Sequence, residues 1–175
     1  NTKHENEKWT RTSDLTLVAK WEIANYTINY ELADGTNHAD NPASYTVNYE
    51  TITIKDPSRS GYTFLGWTYE GQTTPTKDVT IAKGSTGEKT YTANWEAISS
   101  TITLNPNGGT CDPITIPVTY DGEFALPIPE WAGHTFSGWY NGDTKITSGI
   151  CKIYEDTTLV AEWDIIQYTV SYTLN

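Results

Sequence analysis

Tyr26, Ile28, Tyr30 and Leu32 occupy every second position between polar neighbours, and the same period of two returns at Val118 and Tyr120 and at Leu159, Ala161 and Trp163. Successive side chains of an extended chain point to opposite faces, so this spacing predicts strands with one buried and one wetted face. Phe136 against Thr135 reads the same way. The candidate strands are separated by Ala33-Asp34-Gly35, Asn105-Pro106-Asn107-Gly108-Gly109, Asp121-Gly122 and Asn141-Gly142-Asp143, all built from residues that tolerate positive φ and turn the chain. A 3.6-residue period is poorly represented. The best helix candidates are short, such as Asp143 to Ile153, where at most one turn is expected.

The pattern repeats at a longer interval. Leu15 to Trp21, Thr90 to Trp95 and Thr158 to Trp163 each end in Ala-x-Trp, with the tryptophans 74 and 68 residues apart. Five residues after each Trp an alternating segment opens: Tyr26 to Tyr30, Ser100 to Leu104, and Tyr168 to Tyr172. Between these markers Gly61-Tyr62-Thr63-Phe64-Leu65-Gly66-Trp67 matches Gly133-His134-Thr135-Phe136-Ser137-Gly138-Trp139 at an offset of 72. Three markers in one order at nearly one spacing define tandem modules. The expected division is residues 1–23 as the tail of a preceding repeat, 24–97 and 98–165 as complete repeats, and 166–175 as the first strand of a following one. Linkers of about four residues, Glu96 to Ser99 and Asp164 to Gln167, leave little freedom between modules. Each end segment carries a strand whose usual partners lie elsewhere, and both are expected to pair with a free sheet edge of this chain or another.

Composition agrees with a β-rich chain. The 175 residues are 13% aromatic and include 30 threonines but no methionine, so β-branched and aromatic residues take the place of helix formers. A formal charge of -11 argues against nucleic acid and against anionic bilayers, both of which are recognised through Lys and Arg. No apolar run approaches the length of a membrane span, so no membrane insertion is expected. Eight acids against five bases in 26–95 and eight against two in 100–163 spread the surplus over both modules as solubilising surface charge.

Gly-Tyr-Thr-Phe-x-Gly-Trp, followed some 24–28 residues later by Leu-x-Ala-x-Trp, with Asn-Gly-Gly after the first strand, resembles the Listeria–Bacteroides repeat, also called the internalin B B-repeat. The match covers nearly all of residues 15–175. Ala33-Asp34-Gly35 departs from Asn-Gly-Gly, an insertion around Asn37 to Ser44 lengthens the first hairpin, and His134 stands where the family has Tyr. The resemblance implies mostly β, tandem small β-grasp-like modules in secreted or wall-attached bacterial surface proteins, serving as spacer or receptor-binding unit. It implies no enzymatic activity and no cofactor.

The recurring aromatics Trp21, Phe64, Trp67, Trp95, Phe136, Trp139 and Trp163 are read as the structural core, since modules of about 70 residues rely on large side chains. A glycan-stacking array is the competing reading. Trp131 and Tyr140 replace Arg59 and Thr68 of the sister repeat. Positions that accept Arg or Thr face solvent, which makes these two the candidates for ligand contact; packing between neighbouring repeats is the plainer explanation. Cys111 and Cys151 occur together in one repeat and are both absent from the other, which suggests a disulfide; two free thiols, or a nucleophile paired with His134, are the alternatives.

The loop Asp34 to Asn41 gathers oxygen ligands without the spacing of a calcium loop and reads as a solvated turn. Glu155-Asp156 is a carboxylate pair in a turn-like stretch, and no metal or nucleotide motif is present. The chain is therefore expected to be a non-catalytic extracellular repeat region acting as a stalk on a bacterial cell surface or wall. Its partners would be adjacent repeats of the same protein. The alternative is an adhesin module contacting a host or matrix ligand through exposed aromatics and sheet edges.

Overall fold

The computed structural model describes residues 12–14 and 16–173. Thirteen strands and no helix occur among them, so the chain is mostly β. The first repeat contributes β1 (Asn25–Glu31), β2 (Ser44–Thr46), β3 (Ile52–Thr53), β4 (Tyr62–Thr68), β5 (Thr80–Ile81) and β6 (Lys89–Ala97). The second contributes β7 (Ser99–Asn105), β8 (Thr115–Thr119), β9 (Glu123–Phe124), β10 (His134–Asn141), β11 (Thr144–Ile146), β12 (Gly149–Ile150) and β13 (Thr157–Ile165). Their main sheets run β2-β1-β6-β4 and β11-β10-β13-β7-β8, and each takes strands from one repeat only.

In both sheets the opening and closing strands lie side by side and parallel, in the same register: Ile28 faces Lys89, and Ile102 faces Thr157. A parallel pair requires a long crossover, usually helical. Here the crossover is made of short strands. The pairs β3-β5 and β9-β12 form separate two-stranded ribbons. Ile54, Val79 and Ile81 from the first ribbon's neighbourhood meet Ile28, Tyr91 and Ala93 of the sheet in one core, and Cys151 and Phe124 take part in the second core beside Ile102, Leu104, Leu159 and Ala161. Period-2 segments can form such a ribbon, whereas a helix in that place would need a 3.6-period stripe that the chain lacks. The stretch Asp143 to Ile153, expected to hold a helical turn, instead forms β11 and β12. Gly142 at φ 56° closes a two-residue hairpin that lays Thr144 against Asn141 and returns the chain along β10.

The Phe-x-Gly-Trp motif is a β-bulge. Residues three apart on a regular strand point to opposite faces, yet Phe64 and Trp67 pack edge to face at 5.3 Å, as do Phe136 and Trp139 at 5.6 Å. A register shift against the closing strand falls between Phe64 and Gly66, and between Phe136 and Gly138, and turns both rings to the core side. Gly66 is required there: its φ is 139°, and a Cβ would lie 2.7 Å from the backbone nitrogen of Thr76. Opposite the two tryptophans stand Ala93 and Ala161, whose small side chains leave room for the indoles.

Alternation along the closing strand then places Trp95 and Trp163 on the same face as these alanines. Each indole N–H donates to a carbonyl just beyond the opening strand, Trp95 to Leu32 and Trp163 to Pro106, both at 2.9 Å. Each ring also covers a glycine, since a Cβ on Gly35 or Gly109 would stand 2.7 or 2.6 Å from the indole Cζ2. This is the physical content of the third residue in Ala33-Asp34-Gly35 and of the last glycine in Asn-Gly-Gly.

Trp67 and Trp139 are fully buried, Phe64 nearly so, and Phe136, Trp95 and Trp163 are half-buried against their cores. Trp21, expected in the core, is 88% exposed. It corresponds to Trp95 and Trp163, but no opening strand or glycine turn stands beside it among the described residues. The expectation that the end segments form edge strands is likewise not met within the chain. No strand is formed over 16–24 or 166–173, and Leu17, Val18, Tyr168, Val170 and Tyr172 are 71–88% exposed. An opening strand is held between the closing and second strands of its own module, and 166–173 has neither beside it. Residues 1–11, Leu15, Leu174 and Asn175 lie outside the described residues.

Gly109→Ala and Gly35→Ala should each destabilise their own repeat by about 1–3 kcal/mol, the usual cost of forcing a methyl into a packed site. Urea unfolding followed by tryptophan fluorescence measures this; an unchanged midpoint would show that the indole contact carries no weight.

Candidate functional site

The two repeats are joined through one residue. β6 ends at Ala97 and β7 begins at Ser99, so the four-residue linker expected from sequence shrinks to Ile98. Its N–H donates to the Gly61 carbonyl of the first repeat and its carbonyl accepts from the Tyr120 N–H of the second, both at 2.9 Å. Gly61 lies at φ 78°, and the Tyr120 ring covers it so closely that a Cβ would stand 2.4 Å from the ring carbons. Tyr120 meets Tyr62 edge to face at 5.5 Å and Tyr154 at 5.8 Å. The Arg59 guanidinium lies over the Tyr62 ring, 3.8 Å from its centre. Asp121 joins the halves: it accepts from the Tyr62 hydroxyl at 2.7 Å and pairs with Lys152.

Sequence reading missed this cluster. Tyr62 was visible as a motif position and Asp121-Gly122 as a turn, but nothing along the chain indicates that a turn of one repeat lands on a glycine of the other. Asp121 is suited to the task because it holds φ 61° at the corner of the β8–β9 turn, where its N–H donates to the Cys151 carbonyl at 2.8 Å.

The residues singled out from sequence lie elsewhere. Trp131 is 37% exposed, stacks on His134 at 3.7 Å and stands edge-on to Trp163 at 5.7 Å. Tyr140 lies six residues beyond His134 on β10, roughly 20 Å at the rise of a strand, so the structure does not bring the two into one patch. Cys111 and Cys151 are free thiols and the bridge expected between them is not formed, although both pack at the second core. Burial, helped by the charge of Asp112, pushes the Cys111 thiol up from its ordinary range.

His134 is stacked on Trp131 and bonds through Nδ1 to the Ala132 carbonyl at 3.2 Å. Asp156 is occupied in accepting from the Thr101 N–H at 2.8 Å, and Asn41 in clamping the backbone of Lys55 on both its N–H and its carbonyl. No group of three or more His, Cys, Asp or Glu side chains converges to hold a metal among the described residues.

The junction titrates at both ends of the pH scale. Lys152 and the Tyr62 hydroxyl, in that order, hold the Asp121 carboxyl below its usual range, while Asp121 holds Tyr62 and Lys152 above theirs. A lowered carboxyl contributes above its unfolded pKa and is lost as pH falls; raised Tyr and Lys groups contribute below theirs and are lost as pH rises. Coupling between the repeats should therefore be flat from about pH 5 to 9 and fall on either side. Asp121→Asn should remove the acid limb, measured as the separation between the thermal transitions of the two repeats. Tyr120→Ala should lower stability by about 1–3 kcal/mol at neutral pH, through two lost aromatic pairs. With thiol reagents, buried Cys151 should react only on unfolding and Cys111 more slowly than an unhindered thiol; equal fast labelling of both would contradict the burial.

The Listeria-Bacteroides repeat domain model matches residues 26–96 and 101–162, together most of the chain. Two similar proteins occur in Evansella cellulosilytica. One, named "Putative membrane protein", is 32% identical over 92% of this chain and 24% of its own length; the other, "Putative Gly-rich membrane protein", is 31% identical over 94% and 19%. Internalin H of Listeria monocytogenes is 36% identical over half of this chain and 16% of its own length. The chain thus spans a quarter or less of these relatives. No solved structure matches. With both matched segments falling on the two sheets and their shared bulge, indole and glycine contacts, the chain belongs to the Listeria-Bacteroides repeat family.

Proposed function

We propose that the chain is a stiff spacer in the extracellular part of a bacterial surface protein, without catalytic activity, holding other parts of that protein away from the cell. The observation that carries this reading is the junction at Ile98, hydrogen-bonded to both repeats and flanked by the Tyr62, Tyr120 and Asp121 clamp. A module joined through one residue, with a ring seated on the neighbour's glycine, has little room to pivot, whereas a flexible tether needs several free residues. The acidic, threonine-rich surface suits a solvated segment. The relation to internalin H and to proteins named as membrane proteins supports a position at the cell envelope.

A ligand-binding reading has one observation in its favour, the exposed part of Trp131 with Ile128, 81% exposed, in the same cleft. It does not extend to Tyr140.

Small-angle scattering of the chain should fit a single arrangement of the two repeats. Inserting Gly-Ser-Gly-Ser after Ala97 should broaden the distribution of inter-repeat distances. If the unmodified chain shows the same breadth as the insertion variant, the spacer reading fails. Antibody labelling of intact cells producing the whole parent protein tests the location, and labelling only after lysis would refute it.

A further inference from the structure

The far end of the second repeat copies the near side of the junction but has no ring upon it. Ile166 donates its N–H to the Gly133 carbonyl at 2.9 Å, as Ile98 does to Gly61. Gly133 has φ 79° against 78° for Gly61. A planar group again stacks on the residue three positions later: Trp131 on His134 at 3.7 Å, where the first repeat has Arg59 on Tyr62 at 3.8 Å. The difference lies in what covers the glycine. A Cβ on Gly61 would strike Tyr120, whereas a Cβ on Gly133 would meet nothing within 4 Å.

We propose that the face formed by Trp131, Gly133 and His134 is the seat for the Tyr-Asp turn of a further repeat of this kind, which packs there as Tyr120 and Asp121 pack on Gly61 and Tyr62. The proposal rests on the spacer reading and names the partner of its interface. The occupant follows from the chain itself. Past Ile166 the sequence enters Tyr168-Thr169-Val170-Ser171-Tyr172, in which Val170 and Tyr172 take the positions of Ile102 and Leu104, 0% and 3% exposed in their own module. At 71% and 88% exposure these two side chains have the pattern of an opening strand without its sheet. A module begun there, leaving Ile166 with the same hydrogen bond as Ile98, brings its second hairpin back over Gly133.

The substitutions at this face fit the same use. Trp131 is held in place, lying over Gly108 so closely that a Cβ there would be 2.6 Å from the indole, and it offers a broader apolar surface than Arg59. His134 spends Nδ1 on the Ala132 carbonyl, and its Nε2 makes no hydrogen bond among the described residues. With Nδ1 donating to that carbonyl, Nε2 is an acceptor in the neutral ring and replaces the Tyr62 hydroxyl as donor to an incoming aspartate only in the imidazolium form.

The test uses the chain and a version lengthened by its own module, in which Ile165 is followed by a second copy of residues 98–175 so that the register at Ile166 is kept. Gly61→Ala and Gly133→Ala form a matched pair, since both place alanine at the same positive φ. In the chain as it is, Gly133→Ala should weaken folding about tenfold through backbone strain alone, and Gly61→Ala by about a further tenfold through the Tyr120 contact. In the lengthened chain Gly133→Ala should rise to the cost of Gly61→Ala, and the amide that follows Ile165 should exchange more slowly.

An unchanged Gly133→Ala cost in the lengthened chain, with Gly61→Ala still showing its excess, overturns this proposal and leaves the spacer reading standing. Loss of the excess at Gly61 as well would refute the first junction and the spacer reading with it. Should Gly133→Ala prevent folding of the lengthened chain, the exchange rate of that amide in the unsubstituted lengthened protein decides: no slowing means no docking.

Discussion

The hydrogen bond from the closing-strand indole to the carbonyl beyond the opening strand is the contact on which each repeat depends. Trp95 reaches Leu32 and Trp163 reaches Pro106 across more than fifty residues of chain, and each ring presses on the glycine that ends the same turn. Beginning and end of the module are thereby fixed side by side, which sets the parallel register of β1 with β6 and of β7 with β13. Parallel strands give no local hairpin to nucleate on, so a specific long-range contact at one end of the pair decides the register. The bulge at Gly66 and Gly138 serves the same packing, turning Phe64 and Phe136 toward Trp95 and Trp163 at 5.3 and 5.5 Å while keeping Trp67 and Trp139 in the core.

Between these fixed points the repeats differ where the constraint is slack. Trp139 donates its indole N–H to the Pro127 carbonyl, whereas the buried Trp67 N–H has no partner. The residue in the place of Pro127 is Lys55, and its carbonyl is taken by Asn41 from the inserted loop. The insertion thus brings its own bonds, and the Trp67 donor stands unpaired at the cost that accompanies any buried donor without a partner. Strand register is unaffected, and the variation is confined to the connections above the sheet.

At the junction the same economy of means recurs. A single residue, Ile98, completes the hydrogen bonding of both neighbours, and a glycine with positive φ opens the space into which a tyrosine fits. The polar part, Asp121 between Tyr62 and Lys152, is exposed and therefore screened; its role is orientation more than strength. The short connection and the seated ring are the features on which the proposed stiffness rests. A junction of this kind would pass direction from one repeat to the next, which is what the proposed spacer role needs.

Much of this was legible along the chain. Period-2 alternation marked the opening and closing strands, the recurrence of Ala-x-Trp and Gly-x-Thr-Phe-x-Gly-Trp marked the repeats, and Asn141-Gly142-Asp143 marked a turn, though not the hairpin it closes, because local backbone preference and the burial of one face leave their trace in the order of residues. The sequence alone did not decide that Phe64 and Trp67 share a face, since a bulge appears only when the strand is paired with its partner. Nor did it decide that Trp21 is exposed while Trp95 and Trp163 are packed, since burial belongs to the neighbours a residue acquires. That Tyr120 and Asp121 act on Gly61 and Tyr62, nearly sixty residues away, was decided by tertiary structure alone: the contact exists only after two separately folded sheets are joined through one residue, and no periodicity within either repeat encodes the angle at which they meet.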